Sequence, residues 1–220
     1  MNSTLNTQNS KLGVGVFGGT FDPIHYGHLR PAQEALEKLA LAEVRFIPAA
    51  QPPHRPPPVA SAEQRLAMLE LAIRGRPAFR ADDRELRRRG PSYTVLTLES
   101  LRAELSAVPL CLLIGMDQFR SFETWHRWQD IPALTHIVVL SRPGAASGSL
   151  PAWARGRVTE NVADLQQTPA GRLVFLAVSP QDISATRIRA ALAQGGPVAG
   201  MLPEAVLEYI RVNHIYVRSN

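Results

Sequence analysis

A single cysteine, Cys111, stands among the 220 residues, so an intrachain disulfide is impossible and a thiolate metal cluster is excluded. It sits in the apolar run Leu110-Cys111-Leu112-Leu113-Ile114, where a thiol reads as a small buried hydrophobe. Residues 1–10 are polar and uncharged, without the apolar stretch of a secretory signal. No run is long and apolar enough to span a bilayer, so a cytoplasmic protein with no membrane partner is the default. No glycine loop ends in Gly-Lys-Ser/Thr, and Gly13-x-Gly15 lies inside a strand-like run, a weak match to the Gly-x-Gly-x-x-Gly turn of dinucleotide-binding folds. Internal repeats and heptad runs are missing too.

What is present reads as an ordinary globular chain, with 45% hydrophobic and 20% charged residues. Lys plus Arg is 24 against 19 for Asp plus Glu, giving +5, which suits a phosphorylated small molecule. The basic residues are dispersed, apart from Arg84, Arg87, Arg88 and Arg89. Without an arginine-rich arm or an aromatic-basic platform, no nucleic-acid partner is expected.

Residues 1–10 are expected to be a disordered tail and residues 11–220 a single domain. Short apolar runs predict strands at 12–17, 44–48, 78–81, 110–114, 136–140 and 173–178. Their lack of polar alternation suits parallel strands covered on both faces. Helical spacing falls between them, at 29–40, 61–74, 92–105, 184–194 and 203–213. Ser61 and Gln64 form a capping-box pair ahead of the second. This alternation predicts an α/β fold: a Rossmann-like open parallel sheet with helices on both faces, and ligands beyond the carboxyl ends of the strands. Two loops interrupt the pattern, a proline-rich one at 51–60 and a Gly/Ser/Ala/Pro-rich one at 142–157.

The first strand runs into Gly18-Gly19-Thr20-Phe21-Asp22-Pro23-Ile24-His25-Tyr26-Gly27-His28. Paired glycines let the backbone turn and approach a ligand, and Thr20 adds a hydroxyl. His25 and His28 share one side of a helical turn, near a helix N-terminus with free N–H groups. Two imidazoles there can donate to phosphate oxygens as charge builds on phosphorus. His-x-x-His is also half of a metal site, but no third ligand is spaced to complete one. Downstream, Ile183-Ser184-Ala185-Thr186-Arg187-Ile188-Arg189 opens another helix. Ser184 suits an N-cap, and Thr186, Arg187 and Arg189 make a second phosphate site. A capped surface helix with solvated arginines is the alternative.

Together these strings resemble the His-x-Gly-His and Ile-Ser-Ser-Thr-x-x-Arg motifs of the nucleotidyltransferase superfamily. Within it, the chain is similar to the bacterial nicotinate-nucleotide adenylyltransferases over residues 12–217. Further matching segments are Pro52-Pro53-His54-Arg55, Arg65-x-x-Met68, Pro91-Ser92-Tyr93-Thr94, Gly115-Met116-Asp117 with Trp125, and Leu202-Pro203 through Ile210. Ala185 replaces the family's second serine, and Arg55 its lysine.

The resemblance implies the nucleotidyltransferase fold and an enzyme of NAD biosynthesis. It would transfer the adenylyl group of ATP to nicotinate mononucleotide, with Mg²⁺ carried mainly by the ATP phosphates and no protein metal ligand. His28 and His25 would be catalytic, and Gly18, Gly19, Thr20, Phe21, Ser184, Thr186 and Arg189 would bind ATP and its phosphates. Asp117 and Gly115 would contact the nucleotide, with a helix N-cap as the other role for Asp117. His54, Arg55, Tyr93, Thr94 and Trp125 would hold the mononucleotide. Trp125 would stack on the pyridinium and the Ser92–Thr94 amides meet the carboxylate, although Trp125 also suits plain packing. Nicotinamide mononucleotide or another phosphorylated acceptor is the alternative substrate, and a homo-oligomer is left open.

Overall fold

The computed structural model describes residues 12–52, 56–142 and 150–217. Six strands form one all-parallel sheet: β1 (Leu12–Gly19), β2 (Leu41–Pro48), β3 (Phe79–Ala81), β4 (Leu110–Gly115), β5 (His136–Ser141) and β6 (Leu173–Ala177). Their order is β3-β2-β1-β4-β5-β6. The chain winds outward from β1 through β2 and β3, then returns to β1's other edge with β4. The connections therefore diverge between β1 and β4, where the carboxyl ends of the strands open a crevice.

Alternate side chains on each strand enter two separate cores. Cys111 and Leu113 of β4 face one with Val138 of β5, while Leu110, Leu112 and Ile114 face the other with Ile137 and Val139. The first core is covered by α1 (Tyr26–Lys38), α2 (Ala62–Ile73), α8 (Ala185–Ala193) and α9 (Glu204–Val212). The second is covered chiefly by α4 (Thr94–Leu105), through Val95, Leu98 and Leu101. Cys111 is fully buried, and burial pushes its thiol pKa up to about 12.

Ser61 caps α2 in a complete capping box with Gln64, worth about 1 kcal/mol. Burial of Leu69 alone stabilises by about 1.5–3 kcal/mol. Tertiary packing rather than local propensity therefore dominates this helix.

All six strands lie where the apolar runs predict them, with boundaries moved by up to three residues. The largest shift is in β2, which begins at Leu41 because Leu12 pairs with Leu41 across the register. Helix α1 begins at Tyr26 rather than Leu29, since its first turn faces a cleft and carries no apolar stripe. Four short helices, α3 (Arg84–Arg87), α5 (Met116–Arg120), α6 (Ile131–Leu134) and α7 (Asp164–Gln167), are too brief to show a 3.6-residue period. Among the described residues, no helix is long and apolar enough to cross a membrane.

Candidate active site

A cleft of about 880 Å³ opens at the divergence of β1 and β4. Gly18, Gly19 and Thr20 form one wall as β1 ends, and Gly115 and Gln118 lie opposite, where β4 meets α5. A Cβ on Gly19 would come within 2.7 Å of the Phe21 ring, whereas one on Gly18 would meet nothing. Gly18 thus leaves open space over the strand end where a ligand can approach.

Phe21 holds a left-handed backbone, φ 50°, rare for a residue with a large side chain. That turn sends its ring into the core, edge-on to His28 at 5.1 Å. His28 lines the cleft from within α1, and His25 stands behind it at the N-cap, 4% exposed. Their rings stack with centroids 3.8 Å apart, so the three-residue spacing does place them on one side. A Cβ on Gly27 would lie 2.8 Å from His25 Nδ1, so glycine there makes room for the buried ring. The N–H groups of this turn are only partly available. Tyr26 donates to the Met201 carbonyl and His28 to the His25 carbonyl, both at 2.9 Å, and Gly27 between them borders the cleft.

Burial lowers the His25 pKa from 6.5 to about 4, so its imidazole is neutral in the folded chain at pH 7. An unfolded chain takes up that proton near pH 6.5. Between pH 6.5 and 4 the unfolded state therefore binds more protons, and stability falls as the pH falls. The loss from this residue reaches up to about 3 kcal/mol. Urea unfolding of the protein and of His25→Gln, followed from about pH 7 to about pH 4.5, should show a difference that narrows with acidification. A constant difference would remove His25 as the cause.

Asp22, which sequence reasoning passed over, organises the turn. Its buried carboxylate accepts N–H bonds from Val59 (2.9 Å) and Ala60 (3.1 Å) and the Tyr216 hydroxyl proton (2.6 Å). Arg189 Nη1 donates to the Asp22 carbonyl at 2.7 Å and lies 3.8 Å from its carboxylate. One residue so joins the glycine turn, the return of the proline-rich loop, α8 and the end of the chain. Arg65, 1% exposed, secures the other side by donating to the carbonyls of Thr20 (2.8 Å) and Ala49 (2.7 Å).

At the third edge of the cleft, Thr186 and Arg189 border the cavity beside Ser141 and Arg142. Ser184 is the predicted N-cap: its hydroxyl oxygen accepts the Arg187 amide. Arg187 turns aside to Asp182, at 2.8 Å. At the remaining end, Thr94, Thr97, Glu85 and Trp125 line the cavity. Tyr93 stacks on His126 at 4.2 Å. Trp125 also packs against Phe122 at 5.4 Å, while Trp128 and Trp153 belong to the aromatic cluster around Phe122.

Two expected contacts take a different form. The Ser92 amide donates to the Gln51 carbonyl and the Tyr93 amide to that of Pro91, both at 3.0 Å, which leaves Thr94 as the member of the trio at the cavity wall. The Asp117 side chain is fully exposed, beside Arg120 at 3.5 Å, while Gly115 takes the N-cap position of α5. His54 and Arg55 lie outside the described residues. Gln118, Ser141, Arg142 and Glu85 border the cavity without a motif to announce them.

Residues 16–191 match the cytidylyltransferase-like family. A probable nicotinate-nucleotide adenylyltransferase of Halorhodospira halophila is 49% identical over 201 residues, spanning 90% of this chain and 92% of that protein. One of the same name from Pseudomonas aeruginosa is 48% identical over 206 residues, spanning 92% and 96%. Among solved structures, Plasmodium falciparum nicotinic acid mononucleotide adenylyltransferase complexed with APC shares the fold at a TM-score of 0.69, with 12% identity, covering 93% of this chain and 97% of that one. By these sequence matches the chain belongs to the nicotinate-nucleotide adenylyltransferases, within the cytidylyltransferase-like family.

Proposed function

We propose that the cleft binds ATP and nicotinate mononucleotide together and joins them by in-line attack at the α-phosphorus. A phosphate oxygen of the mononucleotide forms the new P–O bond. The bond to the β-phosphate oxygen breaks, and the products are nicotinate adenine dinucleotide and pyrophosphate. The observation that carries this reading is the meeting, across one cleft, of two strings far apart in sequence, sealed by the Arg189 bond to Asp22. No covalent nucleophile is needed, because the acceptor phosphate attacks directly. The protein's task is positioning and charge stabilisation.

In this reading His28 donates to the α-phosphate as charge builds there. His25, neutral and stacked behind it, holds the ring in place. Gly18, Gly19, Thr20 and Phe21 shape the phosphate turn. Thr186 and Arg189 face the β- and γ-phosphates, with Ser184 fixing the helix end and Arg142 adding charge. Gly115 and Asp117 border the adenosine. Thr94 and Trp125 receive the pyridine ring with Tyr93 behind, and His54 and Arg55 come from the proline-rich loop.

The described residues contain no group of three or more His, Cys, Asp or Glu that could hold a metal ion, and the Asp22 carboxylate is taken by Val59, Ala60 and Tyr216. Mg²⁺ therefore fits as a cation carried by the ATP phosphates and water, where it offsets their charge.

Pyrophosphate release should be measured with ATP and each acceptor in turn. Nicotinate mononucleotide is expected to give the higher kcat/KM, because Thr94 at a helix N-terminus favours a carboxylate over a neutral amide. Equal or faster turnover with nicotinamide mononucleotide would overturn the assigned acid preference.

A further inference from the structure

Glu85 is, with Asp22, a buried carboxyl of the cleft wall. It stands in α3, 7% exposed, and borders the same cavity as Thr94, Thr97 and Trp125. A carboxyl withdrawn from water is costly unless its oxygens are satisfied, and burial pushes the Glu85 pKa up. Thr97 Oγ1 satisfies one of its oxygens by donating to Oε1. The Ser92 oxygen, two residues before α4, accepts the amides of Ala50 (2.9 Å) and Gln51 (3.1 Å). The Ser92 amide closes the exchange on the Gln51 carbonyl at 3.0 Å. A bond thus runs from Glu85 through Thr97 to the first turn of α4, and Ser92 ties the approach to that helix to the stem of the proline-rich loop.

We propose that Glu85 is a positioning residue for the acceptor: through Thr97 it fixes the start of α4, and with it the loop stem that Ser92 holds, around the pyridine ring. The inference rests on the reading of this cleft as the site that joins ATP to nicotinate mononucleotide. The carboxyl oxygen that accepts from Thr97 holds that hydroxyl as a donor. A glutamine at position 85 would keep the size but can turn an N–H toward the Thr97 hydroxyl in place of the acceptor. The turn that faces ATP, held by Asp22 and Arg65, shares none of these bonds.

The test is steady-state pyrophosphate release with ATP and nicotinate mononucleotide varied separately. For Glu85→Gln, the KM for the mononucleotide is expected to rise about tenfold. The KM for ATP should move by less than about twofold, with the thermal midpoint close to that of the unaltered protein. Thr97→Val should show the same split, and combining it with Glu85→Gln should cost less than the product of the single effects. A parallel rise in both KM values, no change in either, or simple multiplication in the double variant would overturn the positioning role. If Glu85→Gln fails to fold, Thr97→Val alone decides: a split supports the role and its absence overturns it. An unaltered protein that releases no pyrophosphate with nicotinate mononucleotide would instead overturn the reading on which the inference stands.

Discussion

Replacing His28 with alanine is expected to lower the turnover number for pyrophosphate release by about 10²–10³. The chain should stay folded, because His28 borders the cleft and its ring meets Phe17 and Phe21 edge-on and stacks on His25, while the buried Phe17 and Phe21 keep their contacts with each other and with the core. The scale of the effect follows from what the cleft offers at that point. Phosphorus gains negative charge on its oxygens during the displacement, and a fixed donor in a water-poor cleft stabilises that charge without reorganising first. His25 cannot substitute, since it is buried behind His28 and neutral at pH 7. The KM for ATP should change much less than kcat, because the donor acts mainly in the transition state. His28→Asn, which restores an N–H, should recover part of the loss. Turnover by His28→Ala within about threefold of the unaltered protein would exclude the donor role.

Replacing Asp22 with alanine is expected to destabilise the fold by about 3–5 kcal/mol. The substitution would remove the acceptor for two backbone amides and for the Tyr216 hydroxyl, and Ala60 and Tyr216 are buried. It would also remove the anion nearest the buried Arg65 guanidinium, whose pKa burial already lowers while Asp22 raises it. Leaving such groups unsatisfied costs more than the net gain from an average hydrogen bond. Asp22→Asn keeps one acceptor oxygen and should lose less. Urea denaturation monitored by circular dichroism would measure both. A change below about 1 kcal/mol for Asp22→Ala would show that water can satisfy these partners.

The sheet was legible because its signal is local. A strand covered on both faces is largely apolar, and the inner runs of β4 and β5 are buried almost throughout, while Arg45 and Arg80 interrupt the pattern toward the edge in β2 and β3. Helix α2 was legible from both ends of its capping box, and α8 from Ser184. The phosphate turn was legible because glycines, a threonine and two histidines are dense there. The structural roles of Asp22 and of Arg65, which stood only in a matching segment, were hidden for the opposite reason. A carboxylate before proline looks like an ordinary turn, and an arginine in α2 looks like its polar face. Their partners lie as far as 194 residues away, and no spacing rule links Asp22 to Tyr216. The first turn of α1 was misplaced because its side chains serve the cleft rather than the core. The carboxylate site was read too broadly, since two of its three amides close the local backbone.

The Asp22–Tyr216 bond also bears on how the site comes into being in the cell. Synthesis proceeds at about 5–20 residues per second, so the ribosome needs about 10–40 s to add the 194 residues between the partners. The glycine turn and both histidines emerge early, and the inner strands can pair while the chain is still being made. The hydroxyl that completes the Asp22 carboxylate arrives 194 residues after it. A nascent chain can therefore assemble most of its sheet before its phosphate turn is finished.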